Sequence, residues 1–223
     1  MAEQESVLVV GASRGIGLAL VERFAAAGWQ VHATLRDPGT PGALARLDGD
    51  ITLHGLDVRD DGQIERLRAA FEHRSLDVLI HNAGIMSKGR RSYDRETVMA
   101  VNARAPMRVA EALLDAVARA RNGRIVLVSS QLGARQGRSG SLGDYGDSKA
   151  ALNDALRAAA PAWAERGVTG VVVHPGWVRT DMGGPSASIS AAESAAGIYA
   201  LVGSLSASHS GGFYTWDGRT HPW

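Results

Sequence analysis

Short apolar segments alternate along the chain with longer segments in which apolar residues recur at helical spacing. The apolar segments predict β-strands at residues 6–10, 30–35, 51–56, 76–81, 124–129, 168–174 and 212–216. The periodic segments predict helices at residues 15–27, 60–71, 95–120, 147–165 and 190–202. The alternation of strand and helix therefore runs through the whole chain.

Strands that are apolar almost throughout are buried on both faces of a sheet. Their alternation with helices predicts an α/β fold, a doubly wound, Rossmann-like parallel sheet with helices on both faces. The length of 223 residues suits a single domain spanning residues 1–223. Glycine and proline predict loops at residues 38–42 and 133–143.

Composition narrows the classes of function. The formal net charge is +1, so nothing favours a nucleic acid or an anionic membrane as a partner. The absence of cysteine excludes disulfides and thiolate metal sites, and the seven histidines show no ligand spacing, so we expect no metal. The first residues are polar, and no apolar run approaches the roughly 20 residues that span a bilayer. We therefore expect a soluble, cytoplasmic protein.

Three glycines lie where the first predicted strand passes into the first helix. In a doubly wound fold this loop binds the pyrophosphate of a dinucleotide, because glycine allows a tight turn and lets backbone N–H groups at the helix N-terminus approach the phosphates. The predicted cofactor loop consists of Gly11, Ser13, Arg14, Gly15, Ile16 and Gly17. The alternative is an ordinary glycine-rich turn.

The end of the second strand indicates which dinucleotide is bound. An enzyme that prefers NAD usually carries an acid there, which binds the ribose 2′-hydroxyl. Here Leu35 stands at that position and Arg36 follows it. With Arg14, Arg36 offers two guanidinium groups that suit a 2′-phosphate, so we predict NADP(H) over NAD(H). Asp37 leaves an alternative open, because it could bind the ribose or pair with an arginine.

Tyr145 and Lys149 would share one face of a helix, because they are four residues apart. A nearby ammonium favours the phenolate, so we predict that Lys149 lowers the pKa of Tyr145 from its ordinary value of about 10. The pair Ser129-Ser130 ends an apolar run upstream and offers a hydroxyl to a substrate oxygen. This set suits proton transfer at an alcohol or carbonyl oxygen. The alternative is a surface tyrosine and a solvated lysine.

With these motifs the chain resembles the short-chain dehydrogenase/reductase family over almost its whole length. The similar stretches are the glycine loop, Leu56-Asp57-Val58, His81-Asn82-Ala83-Gly84, Val101-Asn102, Ser129-Ser130, Tyr145 with Lys149, and His174 to Met182. The resemblance implies a catalytic tetrad of Asn102, Ser130, Tyr145 and Lys149. In it Tyr145 exchanges the proton, Ser130 binds the substrate oxygen, Lys149 also binds the nicotinamide ribose, and Asn102 holds a relay water.

The same resemblance implies further cofactor contacts. Asp57 would meet the adenine, the Val178 backbone the nicotinamide amide, and Thr180 the amide or the phosphate. The residues that it adds to the cofactor site are Asp57, Val58, Asn82, Ala83, Gly84, Tyr145, Lys149, Pro175, Gly176, Val178 and Thr180. Structural alternatives stay open for three residues. Asp57 could cap the next helix, Ser130 could satisfy a backbone group at a strand end, and Asn102 could be satisfied locally.

The chain departs from the family pattern in several places. Val10 replaces the usual Thr, His81 replaces the first Asn of its motif, and the gap from Ser130 to Tyr145 is longer than usual. Residues 211–223 replace the usual ending. The longer gap and the C-terminal ending, together with the segment from His174 to Gly184, resemble a subgroup of small members that includes the C-factor signalling protein and the sniffer-type carbonyl reductases.

The resemblance implies an NADP(H)-dependent oxidoreductase that interconverts a small-molecule carbonyl and a secondary alcohol. It also implies a homodimer or homotetramer, built through the Ala-rich stretches 110–120 and 155–164, and a short substrate lid within residues 183–203. The alternative function is a cofactor-binding regulatory protein that senses the nucleotide pool with little turnover.

Overall fold

The computed structural model describes residues 4–88, 92–136 and 143–223. Within them the strands are β1 Ser6–Val10, β2 Gln30–Leu35, β3 Ile51–Gly55, β4 Val78–His81, β5 Gly123–Val128, β6 Val168–His174 and β7 Phe213–Thr215. The α-helices are α1 Gly15–Ala26, α2 Asp61–Ala70, α3 Arg95–Met99, α4 Ala105–Ala118, α5 Gly143–Glu165 and α6 Ala191–Ser204. None of the helices in these ranges is long and apolar enough to cross a membrane. Most of the predicted loop 133–143 lies outside the described residues.

The seven strands form one sheet in the order β3-β2-β1-β4-β5-β6-β7, and every neighbouring pair is parallel. This confirms the predicted doubly wound α/β fold. The chain reverses its direction of travel across the sheet between β1 and β4. In such folds the crevice outside the carboxyl ends of these two strands is where a ligand binds.

Alternate residues of each central strand face opposite sides of the sheet, as strand geometry requires. Val7 and Val9 of β1 pack in a fully buried layer with α1 and α6. Leu8 and Val10 pack on the other side, in a layer with α2, α4 and α5. Helices therefore cover both faces, as the continuous apolar strands predict.

Ser6 and Asp77 join β1 to the start of β4 at the end of the sheet away from the crevice. The Asp77 carboxylate accepts hydrogen bonds from the Ser6 N–H at 2.8 Å and from its hydroxyl at 3.0 Å. The Asp77 N–H in turn donates to the Ser6 hydroxyl oxygen at 3.2 Å. This pair, formed between residues 71 positions apart, fixes the register of the two central strands.

The predicted helix 95–120 is divided in the structure. One π-helical turn, Ala100–Arg104, separates α3 from α4. Pro106 explains the division, because it has no N–H to donate to the carbonyl of residue 102, as a continuous α-helix would require. The division matters because Asn102 lies in the π-helical turn, a feature that is frequent at functional sites.

The C-terminal segment, residues 211–223, packs on its own chain. Phe213 in β7 is buried, and the ring of Trp223 lies 5.5 Å from that of Phe213. The Arg157 guanidinium lies over the Trp223 ring at 4.7 Å, and the carbonyl of Trp223 accepts a hydrogen bond from the Gln136 N–H at 2.6 Å. The segment is thereby brought next to the chain that leads from β5 towards α5.

Candidate active site

The glycine loop joins β1 to α1 at the crevice. Gly11 has a φ of +82°, and a Cβ atom there would lie 2.8 Å from the Cα of Ala83. A Cβ atom on Gly17 would overlap the carbonyl oxygen of Gly11, which also accepts a hydrogen bond from the Asn82 amide at 2.9 Å. The loop therefore closes tightly against the turn after β4 only because these positions carry no side chain.

The N-terminus of α1 has room for an anion. Arg14 is its N-cap residue and makes no side-chain capping hydrogen bond, and the first turn contains no acidic residue. The first N–H groups of a helix have no intrahelical partner, and the helix dipole favours negative charge beside them. Gly15, Ile16 and Gly17 contribute that first turn. The loop and the uncapped helix thus suit a dinucleotide pyrophosphate.

The two arginines that we predict at a 2′-phosphate lie in open surroundings. Arg14 is 62% exposed and forms an ion pair with Asp181 at 3.0 Å. Arg36 is also exposed, and its charge helps to hold the pKa of Asp57 below its ordinary value. Asp37 does not pair with an arginine among the described residues. Its carboxylate accepts from the Gly39 N–H at 3.0 Å and from the Thr40 hydroxyl at 2.7 Å, within its own turn.

Asp57 and Val58 follow β3. The Asp57 carboxylate accepts from the N–H of Arg59 and from two nitrogens of its guanidinium, at 3.0, 3.1 and 2.8 Å. These contacts lower the pKa of Asp57. Asp60, not Asp57, caps α2, because the Asp60 side chain accepts from the Gln63 N–H at 3.0 Å. The expectation that Asp57 could cap the helix is therefore wrong. Val58 is buried.

The turn after β4 links the glycine loop to Asn102 and Lys149, two of the predicted catalytic residues. The N–H groups of Asn82 and Ala83 both donate to the carbonyl of Val10, at 3.0 and 2.9 Å. A Cβ atom on Gly84 would lie 3.3 Å from the Asn102 side-chain oxygen and 3.7 Å from the Lys149 nitrogen. A glycine therefore lets the backbone of this turn lie directly against both side chains.

Asn102 is completely buried and its side chain makes three hydrogen bonds. Its Oδ1 accepts from the Ile85 N–H at 2.8 Å, and its Nδ2 donates to the Ile85 carbonyl at 2.8 Å and to the Ser148 hydroxyl at 3.1 Å. Ser148 donates onward to the carbonyl of Tyr145 at 2.7 Å. The Asn102 side chain is thus satisfied locally, and it ties the turn after β4 to α5.

Lys149 lies one helical turn beyond Tyr145 on α5, and it is almost fully buried. Its ammonium donates to the carbonyl of Val128 at 2.8 Å and lies 5.9 Å from the centre of the Tyr145 ring. Burial lowers the pKa of Lys149 to about 8. The predicted helix start at residue 147 is corrected to Gly143, which places Tyr145 within the helix.

Tyr145 is half-buried, and burial raises its pKa to about 12. A side-chain hydrogen bond with Ser130 acts in the opposite direction but is the smaller effect. The prediction that Lys149 lowers the pKa of Tyr145 is therefore not met in this structure, because desolvation outweighs the favourable contacts of the phenolate. The Ser130 hydroxyl oxygen also accepts from the Leu132 N–H at 3.1 Å, so Ser130 serves a backbone group as well as the tyrosine.

The segment after β6 closes the other side of the crevice. The buried Val178 pairs with Ile189 across a short bridge. The Thr180 hydroxyl accepts from the Gly183 N–H at 3.1 Å, and a Cβ atom on Gly15 would lie 3.2 Å from the Thr180 methyl. The carbonyl of Pro175 accepts from the Ser194 hydroxyl at 2.6 Å. The segment is therefore held in place and lies against the glycine loop. Residues 183–190 form an irregular stretch, and α6 takes up most of the rest of the predicted lid.

Two residues of the site, His81 and Ser148, are not among the functional residues that the sequence predicts. His81, at the end of β4, is buried, and both of its ring nitrogens lack a hydrogen-bond partner within the described ranges. Burial and the nearby Lys149 charge lower the pKa of His81 to about 3. Ser148, which connects Asn102 to the Tyr145 backbone, has no motif that could have singled it out. His81 could have been singled out from the sequence, because it replaces the first Asn of the family motif.

The model of the short-chain dehydrogenase family matches residues 5–189. The chain belongs to the short-chain dehydrogenase family. Among curated relatives, the C-signal protein of Myxococcus xanthus is 36% identical over 154 residues, which cover 66% of this chain and 93% of that protein. The predicted family is thereby confirmed.

Two solved carbonyl reductase structures are similar over nearly all of the chain. The NADPH-bound carbonyl reductase from chicken fatty liver has a TM-score of 0.88 and 31% identity, and covers 99% of this chain and 100% of its own. The carbonyl reductase Sniffer of D. melanogaster has a TM-score of 0.88 and 30% identity with the same coverage. These neighbours confirm the predicted resemblance to the C-factor and sniffer-type subgroup.

Proposed function

We propose that this protein is an NADP(H)-dependent oxidoreductase that interconverts a carbonyl group and a secondary alcohol. The observation that carries the proposal is that Tyr145 and Lys149 lie on successive turns of α5, with the Lys149 ammonium 5.9 Å from the centre of the Tyr145 ring, and that Ser130 acts on the Tyr145 hydroxyl. The glycine loop and the uncapped N-terminus of α1 support a bound dinucleotide beside them. The similarity to carbonyl reductases, one of them bound to NADPH, supports the same reaction class.

Tyr145 is the proton donor in the direction of carbonyl reduction. A phenol with a pKa of about 12 keeps its proton at neutral pH, so it can hydrogen-bond to a carbonyl oxygen and then release the proton to it. Ser130 accepts from a backbone N–H, and its own hydroxyl proton would turn from the Tyr145 oxygen to the substrate oxygen when a carbonyl binds. Bound NADPH supplies the hydride.

Lys149 and Asn102 prepare the tyrosine for this step. With a pKa of about 8, Lys149 is mostly charged at neutral pH, and a positive charge stabilises the phenolate that remains after proton transfer. Asn102 fixes the backbone of Ile85 and, through Ser148, the turn of α5 that carries Tyr145. Following the family resemblance, we assign the relay water to the Asn102 position.

Arg14 and Arg36 would hold the 2′-phosphate that distinguishes NADP(H) from NAD(H). The Asp37 carboxylate is engaged in its own turn, which supports this choice over the ribose-binding alternative. Assembly into a homodimer or homotetramer, a cytoplasmic location and a single functional domain are further parts of the proposal, and they rest on the family resemblance.

The test is NADPH oxidation with a panel of quinones, diketones, aldehydes and keto esters. Wild type is compared with Tyr145→Phe and with a matched control, Tyr199→Phe. Tyr199 lies on α6 and contacts Phe24 and Arg23 through its ring, which phenylalanine would preserve. We expect turnover that falls by about 100-fold or more in Tyr145→Phe, because general acid catalysis contributes about 10²–10⁴-fold, and that is unchanged in Tyr199→Phe.

Two outcomes would count against the proposal. Equal activity of Tyr145→Phe and wild type would remove Tyr145 from the chemistry. Tight NADPH binding without turnover of any carbonyl would favour the regulatory alternative. NADH in place of NADPH, in the same assay, tests the cofactor choice.

A further inference from the structure

A cleft of about 510 Å³ opens at the carboxyl ends of β6 and β7. Its lining residues come from the segment after β6, the C-terminal segment and the chain that follows Ser130. They are Gln131, His174, Gly176, Trp177, Ser188, Thr215, Trp216, Arg219, Thr220 and His221. Gln131 is adjacent to Ser130, and Gly176 belongs to the segment that we expect at the nicotinamide. A substrate held at Ser130 and Tyr145 would therefore extend into this cleft.

One wall of the cleft is a tight hairpin formed by residues 213–221, called here the C-terminal hairpin. The Thr215 N–H donates to the carbonyl of Arg219 at 2.8 Å, and the His221 N–H donates to the carbonyl of Phe213 at 2.7 Å. A folded turn of this kind fixes where its side chains lie. The C-terminal hairpin therefore forms an ordered wall of the cleft.

Trp216 anchors the C-terminal hairpin between two glycines. A Cβ atom on Gly176 would lie 3.0 Å from the indole, and one on Gly197 would lie 2.5 Å from it. The indole can occupy this place only because both neighbours lack a side chain. Within the described ranges the indole N–H has no hydrogen-bond acceptor, so it adds an available donor at the cleft.

The described side chains that line the cleft include a positive charge but no negative one. Arg219 is the one formally charged side chain among the described lining residues, and no carboxylate lines the cleft. Asp217 holds the guanidinium through Nε at 2.8 Å and Nη2 at 2.7 Å. Arginine has five N–H donors in a rigid fork, so this pairing leaves the Nη1 side of Arg219 able to bind a second anion.

Other polar side chains on the lining add hydrogen-bonding groups, although the donors of Trp177, Ser188 and Thr215 are already used within the chain. His174 has a buried Nδ1 without a partner among the described residues, and burial lowers the pKa of His174 to about 4, so the ring is neutral at pH 7. Gln131 and Thr220 add an amide and a hydroxyl. A donor-rich wall with one cation and no carboxylate suits an anionic oxygen group.

We propose that this cleft selects carbonyl substrates that carry a carboxylate, and that Arg219 is the counter-ion of that carboxylate. The inference rests on the proposed function and deepens it by naming a substrate class. Asp217 would orient Arg219 and, as a negative charge nearby, would moderate the affinity.

The experiment compares each acid with its neutral methyl ester as substrates for NADPH oxidation. The pairs are 4-carboxybenzaldehyde with methyl 4-formylbenzoate, and levulinate with methyl levulinate. The readout is the ratio of kcat/KM for the acid to that for the ester. We expect a ratio above ten in wild type. Arg219→Gln should lower it at least tenfold, mainly through KM, and Arg219→Lys should restore part of it. Asp217→Asn should raise it.

The matched control is Arg68→Gln. Arg68 is an exposed arginine that pairs with a nearby carboxylate, Glu65, on α2 and away from the cleft. Its substitution should leave the ratio unchanged. Turnover of the esters with a wild-type ratio near one, or a ratio that Arg219→Gln does not change, would overturn this inference and leave the proposed function standing. Turnover of neither acids nor esters, nor of any carbonyl in the wider panel, would overturn both.

Discussion

The residues that we propose for catalysis, called here the catalytic group, and the two arginines that we propose for the 2′-phosphate, called the phosphate arginines, lie around the same crevice in opposite physical surroundings. The catalytic group, Asn102, Ser130, Tyr145 and Lys149, is buried or half-buried and is held by backbone carbonyls and N–H groups. The phosphate arginines, Arg14 and Arg36, are exposed, and Arg14 has only a surface ion pair as its partner. Surface ion pairs contribute about 0–1 kcal/mol, whereas a buried polar group left unpaired costs about 1–3 kcal/mol.

This difference teaches how separable the two functions are. Any change in the catalytic group disturbs packing and hydrogen bonds as well as chemistry. A substitution of the phosphate arginines should leave the free energy of unfolding nearly unchanged and should alter only the affinity of the crevice for an anionic ligand. Cofactor choice should therefore be easy to change by substitution, and catalysis should not.

The largest effect on stability is expected for Asn102→Ala. The substitution leaves the N–H and the carbonyl of Ile85 unpaired in a buried place and removes the tie to Ser148. We expect a loss of about 2–4 kcal/mol in the free energy of unfolding, measured in urea, and at least a tenfold fall in kcat. Asn122→Ala, at an exposed asparagine, is the control and should change neither quantity. A stable Asn102→Ala variant would show that the three hydrogen bonds contribute little.

A smaller effect, confined to the cofactor, is expected for Arg36→Ser. We expect kcat/KM for NADPH to fall by about 10–100-fold, while kcat/KM for NADH and the unfolding free energy stay nearly constant, because surface changes are usually within ±0.5 kcal/mol. Arg14→Gln should cost less, since Asp181 already takes part of its charge. The exposed Arg121 provides the control variant Arg121→Ser. An unchanged ratio of NADPH to NADH activity would contradict the assignment of both arginines.

The smallest effect concerns acid stability, which is set by buried histidines. Burial lowers the pKa of His81 to about 3, and the pKa values of His32 and His174 to about 4, from an ordinary value of 6.5. Below pH 6.5 the unfolded chain therefore binds more protons than the native protein, so the unfolding free energy falls as the pH falls. Each such histidine contributes up to about 1.4 kcal/mol per pH unit.

His81→Asn isolates the contribution of the catalytic neighbourhood to this slope. Between pH 6.5 and 5.5 the variant should lose about 1 kcal/mol less unfolding free energy than wild type, because the unfolded histidine goes from half to almost fully protonated in this window, as followed by urea unfolding at each pH. An identical slope in the two proteins would mean that His81 finds a partner that stabilises its charged form.

The fold could be predicted closely from the sequence, because the strands of a parallel sheet are buried on both faces and are therefore apolar along their whole length. An apolar run such as that around Leu8 has no stable place except between two layers of helices. The predicted third strand ends one residue too late, and the fourth starts two residues too early, since a run of apolar residues does not show where pairing begins.

The candidate site was only partly accessible from sequence. Spacing placed Tyr145 and Lys149 on one helix face, but the pKa of Tyr145 depends on how much water its hydroxyl loses, which is a property of the assembled crevice. The π-helical turn at Asn102 could have been predicted from Pro106, because a proline cannot donate a hydrogen bond to the carbonyl four residues earlier. No sequence pattern predicts the course of residues 211–223, because it depends on contacts between distant residues, such as that between Gln136 and Trp223.

The pairing of β1 with β4 has a consequence for how the chain folds. Val7 lies beside Val78, the largest separation in sequence between any two paired strands of the sheet. Closing so long a loop costs entropy before its contacts form, and folds that depend on distant pairing fold slowly. The crevice exists only once this pair is in place. Ser6 and Asp77, remote from the candidate active site, therefore belong to the step that brings the two central strands together and forms the crevice.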